Sequence, residues 1–330
     1  MIGHGIRPRT SRMVERLMLL QMSSMRDAYA DALLELGSKD TRVVVLGADT
    51  SVSIKTSLFA DRYPERFFNV GIAEANMIGI AAGLALSGKI PFVSTYSAFV
   101  PGKCLDQIRN AVAYPNLDVK IVSSHGGLTV GPDGASHQTV EDVAAIRAIP
   151  HMRVIVPADA SATRALVTES WRTPGPFYIR LSRATVPETY SSPAHLEIGR
   201  AEVLREGSDV AIIACGVMVN EAVEAAESLS KERISAEVID SHTLKPLDSD
   251  AILKAAKKTG GIVTAEEQSV IGGLGSAVAE TVSESYPVPV SRVGLRDTFG
   301  ESGEHNELMM KYGLTPQEIM KASRKLVASR

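Results

Sequence analysis

The chain has 330 residues, 45% hydrophobic and 22% charged, proportions typical of a soluble globular protein with a large core and room for two domains. A net charge of −3 and a pI near 6.2 leave no electrostatic footprint for nucleic acid, and no apolar run approaches the roughly 20 residues of a membrane span. The two cysteines, Cys104 and Cys215, offer neither a disulfide framework nor metal-ligand spacing, which fits a reducing, cytoplasmic setting.

Residues 1–21 hold basic residues and a short apolar run without a small-residue cleavage site. They are expected to form a poorly ordered extension, unless translation begins at Met22 or Met25. From there helical and β-branched segments alternate: a helix in "SMRDAYADALLELGSK", a strand in "VVVLG", a helix at 72–87, the strand "IPFVST" and a helix in "CLDQIRNAVA". The strand "VKIVSS", a Gly-rich loop at 125–138, the helix "TVEDVAAIRAI", the strand "RVIVPA", the helix "ASATRALVTESW" and the strand "PFYIRLSR" complete the first unit. Such alternation predicts a parallel sheet with helices on its faces.

Residues 184–199 are rich in Pro, Ser and Thr, have no periodicity and read as a linker. The alternation then restarts with "DVAIIACG", a helix at 217–229, "SAEVIDSH", a helix at 248–258, "GGIVTAEE", a helix at 274–285 and "VSRVGLRD", and it ends in the helix "TPQEIMKASRKLVAS". The expected architecture is two consecutive three-layer α/β domains, residues 22–185 and 200–330, joined by a linker at 186–199. The segment "GGLGSAVAE" lacks the third glycine of a dinucleotide fingerprint, since Val278 stands there, and reads as a tight turn opening a helix.

The helix at 72–87 is apolar nearly all round and carries one charge, Glu74. A helix of that kind is normally buried. Glu74 could be a first-turn acid that complements the helix dipole, or a carboxyl in an apolar pocket whose raised pKa lets it exchange a proton with a ligand.

In open α/β sheets ligands collect beyond the carboxyl ends of strands. Four such loops carry chemistry here: Asp49, Ser51 and Ser53 after "VVVLG"; Tyr96 and Phe99 after "IPFVST"; His125, Asp133 and His137 after "VKIVSS"; and Arg183 after "PFYIRL". Each alone has a structural explanation, as a cap, core residue or surface ion pair. Their coincidence on one sheet edge points to a site. No G-x-S-x-G elbow or Walker-type phosphate loop is present, and the two loop histidines lack compact zinc spacing, so this chain is expected to hold no metal.

The stretches "FFNVGIAEANMIGIAAGLALSG", "STYSAF", "HGGLTVGPDGASHQTVEDVAAIRAIPHMRVIVPAD" and "RLSR" resemble, in order and spacing, the C-terminal half of transketolase, over roughly residues 22–330. The resemblance implies a pyrimidine-binding domain followed by the transketolase C-terminal domain, with thiamine diphosphate as cofactor. It makes Glu74 the glutamate that bonds a ring nitrogen of the aminopyrimidine and sets its tautomer, and it places that group in dry, charge-free surroundings that keep it protonated. Tyr96 and Phe99 match aromatic residues that stack on and wall the pyrimidine, and Asp49 resembles an acid lining the thiamine pocket. Where the family often has a further tyrosine, this chain has Gly102, which implies a more open pocket.

By the same resemblance His125 and His137 contact the sugars, Asp133 lies near sugar hydroxyls, and Arg26, Ser53 and Arg183, with His125, hold the sugar phosphate. Arginine suits that role because its planar fork bonds phosphate oxygens in pairs. The family's G-D-G motif, which holds the diphosphate and its Mg²⁺, is missing. A separate N-terminal subunit should therefore supply that half in an α2β2 assembly, the C-terminal domain serving as scaffold and dimer contact. The implied activity is ketol transfer between sugar phosphates. The rivals are the β subunit of a 2-oxo acid dehydrogenase E1 component, a deoxyxylulose-phosphate synthase-like enzyme and a non-catalytic transketolase-like subunit.

Overall fold

A computed structural model describes residues 22–190 and 193–329; the expected N-terminal extension lies outside the described residues. The first sheet has seven strands. Five run parallel, in the order Arg153–Ile155 (β6), Phe177–Arg180 (β7), Lys120–Ser124 (β5), Ile90–Tyr96 (β4) and Val43–Gly47 (β2), with Phe67–Asn69 (β3) parallel at one edge. The second sheet has five strands: Val290–Leu295 (β14), Ile262–Ser269 (β13), Val210–Ala214 (β10), Ala236–Asp240 (β11) and an antiparallel edge strand, Glu202–Arg205 (β9).

Strand side chains alternate between two faces, and both faces are buried, as parallel sheets require. Val43 and Val45 of β2 join a core with helices Met25–Lys39 (α1) and Ala160–Arg172 (α5), while Val44 and Leu46 join a second core with Glu74–Leu86 (α2) and Phe99–Gln107 (α3). The same division continues into the second sheet. Val210 and Ile212 face Met218–Lys231 (α6) and Pro316–Ala328 (α10); Ala211 and Ile213 face Ser249–Thr259 (α7) and Leu274–Ser285 (α8). This is the three-layer α/β architecture in both domains. Side-chain caps fix several helix starts: Ser24 accepts from the Asp27 amide, and Asp159 accepts from the Ala162 amide at 2.7 Å.

The structure departs from the sequence expectations in places with physical causes. The expected linker begins with a strand, Thr185–Pro187 (β8), because it finds an antiparallel partner in Met22–Ser24 (β1) far upstream. Thr243–Lys245 (β12) leaves the second domain and pairs antiparallel with β6, extending the first sheet. Three-residue strands give too little alternation to be read from sequence. The helix expected from Cys104 starts at Phe99 and runs into a π-helical stretch, Ile108–Ala113. The 125–138 loop contains a 3₁₀ segment, Leu128–Asp133. Short helices at Ser51–Ile54, Ser57–Arg62 and His305–Lys311 (α9) have no clear sequence periodicity.

Helix α2 is not enclosed all round. The sheet and α3 cover one side, where Met77, Ile78, Ala81 and Ala82 are buried, whereas Asn76, Gly79, Gly83 and Leu86 lie on the surface, with Leu86 74% exposed and the preceding Ile72 76% exposed. Among the described residues no helix is long and apolar enough to cross a membrane.

Candidate functional site

Tyr96 ends β4, and a two-residue turn leads directly into α3 at Phe99, which stacks the two rings with centroids 5.8 Å apart. Ser97 locks this turn to the neighbouring strand end, its amide and its hydroxyl both donating to the Ser124 carbonyl. His125 follows β5 at once, in a left-handed backbone conformation with φ 61°. A non-glycine residue held there is strained, and such residues cluster at functional sites. Its ring stacks on Tyr96 at 4.0 Å, with Nδ1 3.0 Å from the Ser124 hydroxyl. His137 returns from the far end of the loop to meet Phe99 edge-on at 5.5 Å and Tyr96 at 6.2 Å. Tyr96, Phe99, His125 and His137 thus form one ring cluster beyond the carboxyl ends of β4 and β5.

Glu74 opens α2 and is 3% exposed. The charge-free surroundings expected for it are not what the structure contains. Lys103 donates from Nζ to Glu74 Oε1 at 2.9 Å, and the same ammonium lies 4.1 Å from the Phe99 ring centroid. The cause is the early start of α3. With Phe99 in the helix, Lys103 falls one turn further on, on the same face. Lys103 is the site residue that sequence reasoning missed, and the helical i,i+4 spacing from Phe99 was its only signal.

A second group of charges borders the rings. Arg26 Nη1 donates to the Ser53 carbonyl at 2.9 Å and Nη2 to the Arg183 carbonyl at 3.3 Å, while its Nε is buried without a partner. Ser53 therefore contributes its backbone oxygen to this contact. Arg183 Nη1 donates to the Val130 carbonyl at 2.6 Å and lies 3.4 Å from Asp133 Oδ1, which ties Asp133 to the arginine. Asp49 also has a positive φ, 61°, and sits exposed beyond β2; its amide donates to Asn69 Oδ1 and its carboxylate faces the Asn69 amide, so its hydrogen bonds run to Asn69 and not to the ring cluster.

Burial, reinforced by the cations Arg26 and Arg183 and by His137, pushes His125 down to about 3, so its imidazole is neutral at pH 7. Burial and the neighbouring Arg183 likewise lower Arg26. Arg26 and Arg183 thus set two cations close together beside His125. Stability should record the state of His125. The unfolded chain takes up this proton near pH 6.5, the folded chain only near 3, so the contribution is complete above 6.5 and is lost as pH falls through that window. The native chain is expected to lose its melting-temperature margin over His125→Gln between about pH 6.5 and 4; a margin constant across that range would contradict the buried neutral imidazole.

Among the described residues no group of three or more His, Cys, Asp or Glu side chains is placed to hold a metal ion. Glu74, Lys103 and Phe99 instead describe a slot in which a cationic N–H donor lies between a buried carboxylate and an aromatic face. A protonatable nitrogen heterocycle stacked on Phe99 would meet the same two surfaces.

Residues 21–189 match the transketolase pyrimidine-binding domain, and residues 199–319 match the transketolase C-terminal domain. The chain belongs to the transketolase family, as a subunit of its split form. It is 48% identical over 299 residues to the 6-deoxy-6-sulfo-D-fructose transketolase subunit SqwH of Clostridium sp. (strain MSTE9), covering 91% of this chain and 93% of that one. It is 39% identical over 307 residues to one of the subunits of the apulose-4-phosphate transketolase of Phocaeicola vulgatus, covering 93% and 98%. Among solved structures it is similar to a split-gene transketolase described as an inactive beta4 tetramer, with a TM-score of 0.86, 50% identity and coverage of 93% and 99%. Membership of the family implies thiamine diphosphate as cofactor, and the slot between Glu74 and Phe99 fits its pyrimidine end.

Proposed function

We propose that this chain is the C-terminal subunit of a cytoplasmic two-chain transketolase, moving a two-carbon ketol unit from a ketose phosphate to an aldose phosphate. The observation that carries the reading is the Arg26–Arg183 pair, with its unpartnered Nε, bordering the cluster of Tyr96, Phe99, His125 and His137. Anion recognition by paired guanidiniums suits a phosphate terminus. The named sugars of the two relatives end in a sulfonate and a phosphate, both tetrahedral oxyanions that such a pair accepts.

Thiamine diphosphate, when bound, supplies the electron sink for cleaving the bond beside a ketose carbonyl. This chain's residues do the rest. Glu74 exchanges Lys103 for the pyrimidine ring nitrogen and holds the proton there. Tyr96 and Phe99 wall the ring, and Asp49 lines the approach. His125 and His137 contact the sugar, the neutral His125 being able to donate or accept, while Asp133 faces sugar hydroxyls. Arg26, Ser53 and Arg183 hold the terminal phosphate.

The diphosphate and its Mg²⁺ fall to a separate N-terminal subunit, since this sequence has no G-D-G motif, in an α2β2 assembly. The open face of α2, with Ile72 and Leu86 exposed, is the apolar surface expected to meet another subunit. The test is ketol transfer from xylulose 5-phosphate to ribose 5-phosphate, with thiamine diphosphate and Mg²⁺, by the chain alone and by the chain mixed with its diphosphate-binding partner. Activity only in the mixture is expected. Appreciable transfer by the pure chain would overturn the split arrangement, and decarboxylation of a 2-oxo acid in place of transfer would favour the E1 β reading.

A further inference from the structure

The loop at 125–139 contains one regular element, the 3₁₀ segment Leu128–Asp133. Three of its glycines, Gly127, Gly131 and Gly134, sit at φ of 78°, 77° and 76°, a left-handed region that glycine enters without strain. Groups of both domains hold the loop: in the first, Ser182 Oγ lies 2.9 Å from the Thr129 hydroxyl oxygen and Arg183 Nη1 donates to the Val130 carbonyl, and the second domain adds a buried carboxylate. Glu267, on β13 and 2% exposed, accepts through Oε2 from the Thr129 hydroxyl at 2.8 Å and from the Thr129 amide at 3.3 Å. Its Oε1 accepts from Arg180 Nη1 at 3.1 Å. Arg180 Nε in turn donates to Asp142 Oδ2 at 2.9 Å, which also accepts from the Tyr178 hydroxyl at 2.6 Å. At the loop's other end Gln138 donates to the carbonyls of Gly131 and Glu301.

The loop backbone lies directly on this ion network. A Cβ at Gly126 would stand 2.5 Å from Arg180 Nε, and one at Gly127 would stand 2.5 Å from the Glu267 carboxylate. Buried ion pairs are often no more stabilising than apolar side chains of the same volume, so stability alone gives weak grounds for placing three charges here. Positional definition gives better ones. A carboxylate that accepts from both a loop hydroxyl and a loop amide fixes where Thr129 lies, and through it the spacing of His125, Asp133 and His137.

We propose that the C-terminal domain positions the substrate loop, with Glu267 as the fixed strut and Thr129 as the point it grips. Glu267 touches no reacting atom and is a positioning residue. The inference rests on the proposed function only for what the loop binds. It gives the second domain a part in the site that neither a scaffold nor a dimer contact would have.

Thr129→Val keeps the volume and the Arg180–Glu267 pair but removes the gripped hydroxyl, and with it the contacts to both Glu267 and Ser182; Thr129→Ser restores that hydroxyl, and Ser182→Ala removes the Ser182 contact alone and is expected to leave loop exchange near the native rate. The full chain is tested first, by thermal unfolding and by hydrogen exchange of peptides spanning 125–139. The valine variant is expected to melt within a few degrees of the native chain while the loop exchanges about tenfold faster, the scale of a lost buried hydrogen bond to a charged group. The serine variant is expected to return exchange to the native rate. In the assembled two-chain enzyme, the valine variant should raise KM for xylulose 5-phosphate about tenfold and leave kcat within about twofold.

Loop exchange unchanged by Thr129→Val, a rise spread evenly along the chain, or the same rise in Ser182→Ala would overturn the strut. Faster loop exchange with an unchanged KM would overturn its positioning role. A wild-type pair that transfers no ketol unit would instead overturn the proposed function, and the exchange experiment on the chain alone would still decide whether Glu267 holds the loop.

Discussion

Replacing Glu74 with alanine is expected to lower kcat of the assembled two-chain enzyme by about three orders of magnitude, within the range of a lost proton-transfer group, and to leave the chain folded. The carboxylate is buried, but its one charged partner is not: Lys103 is 44% exposed. With Glu74 gone, the lysine can turn its ammonium to water along its flexible stem. No charge is stranded and the first turn of α2 survives. Thermal unfolding of the variant and its kcat in the assembled enzyme separate the two effects. Turnover within tenfold of wild type would remove Glu74 from any proton-transferring role.

The Lys103 contact sharpens that expectation. Lys103 Nζ already occupies Glu74 Oε1 at 2.9 Å, an oxygen that a ring nitrogen would have to meet. Glu74 can take up that role only as Lys103 withdraws. The slot therefore exchanges one nitrogen donor for another.

Arg183→Ala is expected to raise KM for phosphorylated sugars by about 10- to 100-fold, the scale of charge-assisted hydrogen bonds to an anion, with much less effect on hydroxypyruvate, which has no terminal phosphate. Arg183 also donates to the Val130 carbonyl of the substrate loop, so the comparison between substrates is the decisive part. A loss confined to phosphorylated substrates locates the defect at the anion. An equal loss on both would mean that Arg183 acts by holding the loop, and would remove it from the phosphate site. Arg183→Lys, which keeps the charge and loses the planar fork, should fall between.

The long helices and central strands of both domains are legible in the sequence because they carry strong periodicity. The helix expected at 274–285 is the one observed, and β4, β5 and β10 fall within a residue or two of their expected bounds. Tyr96, Phe99, His125 and His137 are legible as a group because all four follow strands at one sheet edge. What the sequence hides is pairing at long range. Nothing near Thr243 says that it will pair with a strand of the other domain, and nothing near Thr129 says that Glu267, 138 positions away, will hold it. Lys103 is hidden differently, since it depended on a helix boundary, the least certain feature of any pattern reading.

Strand β12 has a consequence for how the molecule can be divided. The seam between the domains does not coincide with the break in sequence composition, because the second half lends its Thr243–Lys245 strand to the rim of the first sheet. A fragment ending in the linker would expose the unpaired backbone of β6, an invitation to sticky association, and would also lose Glu267 from beneath the loop. The two halves of this chain are thus interlocked, and a shorter fragment cannot be cut from it in the linker without opening both its first sheet and the contacts beneath the 125–139 loop.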